Sequence, residues 1–196
     1  MSKELEIEFK NMLTKEEYAH LLKEFADFHI NPVTQHNHYF DTADFELKRQ
    51  KSALRIRQKN GRFECTLKIP ATVGHYEITD QLTREQARRM LELNTFEATE
   101  VAEALQTMDV SLPELKQIGT LTTHRVEFEY LDGLLVIDHS EYNGQEDFEL
   151  EFEVSDAEAG HKRFLEFLDQ HKIQERPANK KIARFMQSAA AHSEDQ

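Results

Sequence analysis

Six consecutive residues, Glu149-Leu150-Glu151-Phe152-Glu153-Val154, alternate acidic and apolar without a break. An extended strand sorts such a run onto two faces, because successive side chains point to opposite sides. The same split recurs along the chain. Leu5, Ile7 and Phe9 oppose Glu4, Glu6, Glu8 and Lys10; Leu54 and Ile56 oppose Arg55 and Arg57; Cys65, Leu67 and Ile69 oppose Glu64 and Lys68; Val126, Phe128 and Tyr130 oppose Arg125, Glu127 and Glu129. Counting the segments of this period gives about eight strands, at Glu4–Lys10, Gln35–Asp41, Ala53–Gln58, Phe63–Ile69, His75–Leu82, Gly119–Tyr130, Leu134–Tyr142 and Phe148–Val154. Asn60-Gly61 and Asp132-Gly133 read as two-residue hairpin turns and Asn143-Gly144 as the start of a longer connection, so the sheet is largely antiparallel.

The apolar faces need covering. Thr14 with Glu17, Thr83 with Gln86 and Ser155 with Glu158 have the spacing of capping boxes. Tyr18, Leu21, Leu22 and Phe25 follow the first at helical spacing, and Phe164, Leu165 and Leu168 follow the third. Further helical stretches are expected over 97–108 and about 180–190. A solvated ionic face would explain any single strand. With this many strands and several one-sided helices, the sheet can instead curl into a barrel, helices outside and charges inside. Like-charge rows such as Glu6 with Glu8, and Glu149 with Glu151 and Glu153, are costly in a sheet kept only for stability. The expected class is α+β: an eight-stranded antiparallel β-barrel, or tunnel, with helices packed on the outside. Residues 1–190 read as one domain and 191–196 as a frayed tail.

Lys and Arg number 24 against 37 Asp and Glu, a net charge of −13. That balance disfavours a general nucleic-acid surface, so a polyanionic ligand requires a local basic site. No apolar run approaches the length of a membrane span, and Met1-Ser2-Lys3-Glu4 lacks the apolar stretch of a signal peptide, which gives a cytoplasmic expectation and no membrane partner. Cys65 is the single cysteine and reads as a buried thiol.

Carboxylates two apart on a strand project in parallel and suit a hard divalent cation such as Mg2+ or Mn2+. Arg and Lys in the same cavity suit phosphate oxygens. The combination points to phosphoryl or nucleotidyl chemistry, in which the protein mostly positions groups and neutralises charge. Glu6-Ile7-Glu8-Phe9-Lys10 resembles the ExExK motif of the CYTH superfamily, the triphosphate tunnel metalloenzymes. Tyr39-Phe40-Asp41-Thr42, then Leu47 and Ala53-Leu54-Arg55-Ile56-Arg57, is similar to that family's second and third strands; Leu67-Lys68, His75-Tyr76-Glu77, Arg125, Asp138 and Glu149-Leu150-Glu151 follow in its order.

The resemblance implies a tunnel binding a small-molecule triphosphate and a divalent metal. Carried over by position, Glu6, Glu8, Asp138, Glu149 and Glu151 are metal ligands. Lys10, Arg55, Arg57, Lys68, Arg125 and Lys181 hold phosphates, with Lys180 the alternative to Lys181. Glu6, Glu8, Lys10 and Glu151 are the catalytic candidates. Glu153 extends the acidic row, so the metal pair is Glu149/Glu151, favoured, or Glu151/Glu153.

Three functions compete: a metal-dependent triphosphatase, with inorganic triphosphate the first substrate to test; a nucleotide cyclase of the class IV adenylate type; and a non-catalytic polyphosphate sensor. About five extra carboxylates gain an anion receptor nothing, which favours the first. His36, His38, His75, His124 and His139 match no closed zinc site. If the acidic rows converge, Glu8→Gln or Glu151→Gln is expected to remove turnover and leave the melting temperature equal or higher.

Overall fold

In the computed structural model, which describes residues 3–28 and 31–194, the alternating segments become strands. These are β1 (Lys3–Leu13), β2 (Val33–Asp41), β3 (Ala53–Lys59), β4 (Arg62–Pro70), β5 (His75–Leu82), β6 (Lys116–Tyr130), β7 (Gly133–Tyr142) and β8 (Gln145–Val154). They pair in the order β1-β5-β4-β3-β2-β6-β7-β8 and close into an antiparallel barrel, the architecture expected from the alternation. The helices are α1 (Lys15–Glu24), α2 (Glu46–Arg49), α3 (Arg84–Glu92), α4 (Thr99–Thr107), α5 (Ala157–Gln170) and α6 (Lys181–Glu194). The tail expected over 191–196 is helical as far as Glu194, and 195–196 lie outside the described residues. The chain divides into two compact units, Met1–Leu5 with Gln35–Leu121 and Glu6–Thr34 with Thr122–Gln196.

In the first unit the apolar faces of β3, β4 and β5 lie under α3 and α4. Leu54, Ile56, Cys65, Leu67 and Ile78 form one core with Ala87, Met90, Val101 and Leu105. Burial pushes the Cys65 thiol far above its usual range, consistent with an inert core residue. Thr83 and Gln86 make a full capping box on α3. The residue before helix α4, Ala98, has no capping oxygen, and Asp80 of β5 supplies one instead, accepting from the Val101 amide at 2.9 Å. Asp80 is therefore a cap placed where the helix dipole favours negative charge. Asp41 serves α2 similarly, accepting from the amides of Thr42, Leu47 and Lys48.

In the second unit α1 and α5 cover β6, β7 and β8. Leu21, Phe164, Phe167 and Leu168 pack with Val126, Phe128, Leu135, Ile137, Leu150 and Phe152. Thr14 and Glu17 cap α1 reciprocally, as the sequence suggests. Helix α5 departs from expectation: Asp156, not Ser155, is its N-cap, accepting from Ala159 at 2.8 Å. A carboxylate complements the helix N-terminus better than a hydroxyl.

Two turns also differ from expectation. Tyr142 pairs with Gln145, so Asn143-Gly144 is a complete two-residue turn, with φ of 48° and 72°, rather than the start of a longer connection. Tyr130 pairs with Gly133, so the β6–β7 turn is Leu131-Asp132. A Cβ on Gly133 would meet the Phe152 ring at 2.6 Å, so close strand packing, not turn geometry, requires that glycine.

Gly160 lets α5 approach β8: a Cβ there would lie 2.5 Å from Val154 Cγ2. Gly160→Ala should destabilise by about 1–3 kcal/mol through overpacking, despite alanine's better helix propensity. A thermal melt checks this, and an unchanged or higher Tm would show that Val154 can yield.

Candidate functional site

Because the apolar side of each unit's sheet is covered by helices, the ionic side is the face left for chemistry. In the second unit, register aligns that face across four strands. Glu8 lies opposite Glu153 and Lys10 opposite Glu151 between β1 and β8. Asp138 of β7 pairs with Glu149 of β8 and with Arg125 of β6.

Asp138, Glu149 and Glu151 are all buried, which is costly for carboxylates without partners. Arg125 grips Asp138 with two parallel hydrogen bonds, Nε to Oδ1 at 2.8 Å and Nη2 to Oδ2 at 2.7 Å, and donates to Glu151 Oε2 at 2.9 Å. Lys10 Nζ lies 2.8 Å from Glu151, 3.1 Å from Glu8 and 3.5 Å from Glu149. Helix α6 contributes Lys181, whose Nζ is 2.6 Å from Glu151, 2.8 Å from Asp138 and 3.3 Å from Glu149. One turn on, Arg184 pairs with Asp147 at 2.7 Å and also with Glu149. Lys181, the lysine favoured from the sequence, thus reaches all three acids.

Burial works against the charge of Lys10, Arg125, Lys181 and Arg184, but the surrounding carboxylates outweigh it and raise all four. Burial likewise opposes the charge of Glu151, yet Lys10, Lys181 and Arg125 hold it well below the usual carboxylate range. Asp138 is lowered in the same way, with Arg125 and Lys181 prevailing over burial. Glu149 moves the other way. Its burial and the nearby Glu151 charge raise it against Lys181 and Lys10.

The segment before α6 is tied to β1. Asn11, 2% exposed, donates to the Gln174 carbonyl at 3.0 Å and accepts from the Arg176 amide at 2.6 Å, while the Met12 amide donates to the Arg176 carbonyl at 3.1 Å. Arg176 closes the attachment on Glu17 with two hydrogen bonds, at 2.8 and 3.1 Å. These bonds fix where α6 begins and so where Lys181 stands.

Among the described residues, one group of three metal-ligating side chains converges: carboxylate oxygens of Glu6, Glu8 and Glu153, within 4.8 Å of one another. Ligands about 2.1 Å from an octahedral ion lie about 3.0 Å apart when adjacent and about 4.2 Å when opposite, so side-chain closure of about 1–2 Å would bring the three onto one ion, and three hard oxygens suit Mg2+ or Mn2+. Glu153, partly buried and beside Glu6, is pushed up to about 7, chiefly by burial and then by Glu6. The sequence reading named Glu6 and Glu8 but placed Asp138, Glu149 and Glu151 with them. The structure instead surrounds those three with cations and brings Glu153 to Glu6 and Glu8. Arg184, at i,i+3 from Lys181 on the same helix face, joins the cluster without having been among the expected phosphate ligands.

The first unit carries a basic row. Arg55 and Arg57 on β3 and Lys68 on β4 share the face opposite the core, since Arg57 pairs with Glu64 and Lys68 with Glu77 of β5. Arg57 Nε donates to Asn37 at 2.9 Å and Nη1 lies 3.5 Å from Glu64. Arg55 and Lys68 lie 3.9 and 3.6 Å from Glu77. Glu77 therefore sits between two cations. The histidines take other partners: His124 with Glu141 at 3.1 Å, His139 with Glu146 at 2.9 Å, and His38 with Thr120 at 3.0 Å.

Known proteins are similar to this chain in sequence and fold. A Bacillus subtilis (strain 168) protein named "Putative triphosphatase YjbK" is 41% identical over 187 residues, 94% of this chain and 96% of that protein. A solved structure from Bacillus halodurans, described as a "putative adenylate cyclase", is 41% identical with a TM-score of 0.89 over 94% of this chain and 99% of the other. A Hippeastrum protein described as a "putative adenylyl cyclase" with a dominant triphosphatase activity shares the fold at 22% identity, TM-score 0.80, over 93% of this chain and 96% of the other. The sequence profile of the CYTH domain spans residues 4–186, and with it the barrel and its charged strand faces place this chain in the CYTH domain family.

Proposed function

We propose that this chain is a divalent-metal-dependent triphosphatase that cleaves a phosphoanhydride of inorganic triphosphate or another small-molecule triphosphate. The observation that carries the reading is the junction at Lys10. Its ammonium touches Glu8 of the three-carboxylate group and Glu151 of the cation-rich cluster, so metal ligands and phosphate-binding cations adjoin on one sheet face. The similarity to proteins named for triphosphatase activity supports the same reading.

A divalent ion at Glu6, Glu8 and Glu153, Mg2+ or Mn2+, supplies charge neutralisation for phosphate oxygens and for the leaving group. Lys10, Arg125 and Lys181 exchange their carboxylate partners for phosphate oxygens, Arg125 as a planar fork and the lysines as point charges. Glu151 then holds these three cations in place while the substrate is absent, and Glu149 and Asp138 complete the set. Arg55, Arg57 and Lys68 are the first unit's phosphate ligands, with Glu77 orienting two of them. No helix among the described residues is long and apolar enough to cross a membrane; a cytoplasmic location and a small-molecule rather than nucleic-acid partner go with this proposal.

Arg55→Ala or Arg57→Ala should raise KM about 10- to 100-fold, the equivalent of roughly 1.5–3 kcal/mol for a charged hydrogen-bonded contact. Unchanged KM and kcat in both would remove these arginines from the site. The test of the reaction itself is a product-resolved assay over a panel of triphosphates. Phosphate and pyrophosphate from inorganic triphosphate are expected, and cyclic nucleotide with pyrophosphate from ATP as the main products would make the chain a cyclase instead.

A further inference from the structure

Arg57 is held differently from Arg125 and Arg184. Asn37, Arg57, Glu64 and Gln81 stand in one register row across β2, β3, β4 and β5. Asn37 is 3% exposed, and its Oδ1 accepts from Arg57 Nε at 2.9 Å. An Nε–H can only donate, so it is the oxygen of the amide that must face the arginine. The carboxylate on the other side is looser: Arg57 Nη1 lies 3.5 Å from Glu64, whose side chain is 30% exposed.

In the second unit a carboxylate takes Nε instead. Asp138 accepts from Arg125 Nε and Nη2 at 2.8 and 2.7 Å, and Asp147 accepts from Arg184 Nε and Nη2 at 2.7 and 3.2 Å. A carboxylate so placed occupies a two-donor edge of the guanidinium and cancels its charge. An amide oxygen takes Nε alone and contributes no cancelling charge. Asn37 therefore restrains the guanidinium plane without competing electrostatically with an anion, and a side chain ordered beforehand loses less freedom when a ligand binds.

With Arg57 a phosphate ligand, the reading on which this rests, we propose that Asn37 is a positioning residue for triphosphate binding. Its amide oxygen holds Arg57 by Nε so that the Nη1/Nη2 end is presented to a phosphate, and its neutrality reserves the arginine's charge for that phosphate. An acceptor needed only to satisfy a buried arginine would serve better as aspartate, because ion-paired hydrogen bonds are the stronger ones.

Steady-state kinetics on inorganic triphosphate with Mn2+, beside thermal melts, separates the two roles. Asn37→Ala should raise KM about 3- to 10-fold, the value of one hydrogen bond. Its kcat should change less than about twofold, since Arg57 holds the bound substrate and the transition state alike. Asn37→Asp should split stability from binding: it melts at or above Asn37→Ala, yet its KM exceeds that variant's and lies about tenfold or more above the parent's. In an Arg57→Ala background, Asn37→Ala should add less than about twofold to KM. An unchanged KM in Asn37→Ala, either half of the Asn37→Asp split missing, or an undiminished effect of Asn37→Ala without Arg57 would overturn the positioning role and leave Arg57 a ligand. An unchanged KM in Arg57→Ala would overturn Arg57 as a ligand and the role of Asn37 with it. No phosphate release by the parent would overturn the triphosphatase as well.

Discussion

Glu151→Gln should abolish turnover and lower the melting temperature by about 10 °C. Lys10, Arg125 and Lys181 all converge on this one buried carboxylate. Neutralising it leaves three cations with too little opposing charge, and breaking a buried ion-pair network in this way costs about 3–5 kcal/mol. At this chain length each kcal/mol shifts Tm by about 2–4 °C. This reverses the expectation from sequence, where Glu151 stood in an uncompensated acidic row and its removal looked neutral or stabilising. A thermal melt beside an activity assay decides: a Tm at or above the parent's would mean the cations do not depend on Glu151.

Glu153→Gln should do the opposite to stability and the same to turnover. The folded-state pKa of Glu153 is raised to about 7 from an ordinary value of 4.5. Between those values the folded protein binds a proton more tightly than the unfolded chain. Stability therefore falls as pH rises from about 4.5 to about 7 and levels off above. Glutamine cannot ionise, so the metal-free variant should melt higher than the parent at pH 8, by about 1–2 kcal/mol after solvent screening, and like it near pH 4. Metal should reverse the order at pH 8, because it stabilises the parent in proportion to its affinity for the folded state and the variant lacks a ligand. Turnover should fall on the order of a hundredfold. Equal Tm values at pH 8 without metal, or equal metal-induced shifts, would count against Glu153 as a ligand.

The strands were legible because period-2 alternation is a local property, and parity alone put Glu6, Glu8, Lys10, Arg55, Arg57, Lys68, Arg125 and Glu151 on the ionic faces. Parity says nothing about depth along a strand. Whether Glu149 or Glu153 joins Glu6 and Glu8 depends on the β1–β8 register, which sets Glu8 against Glu153 and is fixed by pairing between strands far apart in sequence. The helix-borne partners of Asp138 and Glu149 were hidden similarly, since Lys181 and Arg184 arrive on a helix whose position depends on the strap held by Asn11. Asn11 itself left a readable trace, an amide in the apolar row of Leu5, Ile7, Phe9 and Leu13. At the turns, two glycines serve unrelated needs: Gly144 a left-handed backbone, Gly133 room for Phe152.

The most direct test of metal-dependent chemistry on the Glu6, Glu8 and Glu153 carboxylates is calorimetric titration of Mn2+ into the chelator-treated protein at pH 8, followed by phosphate release from inorganic triphosphate in the same samples. A single saturable site is expected in the parent and lost in Glu6→Gln and Glu153→Gln, with phosphate release appearing as that site fills. Full phosphate release in chelator, or undiminished Mn2+ binding in both variants, would contradict it.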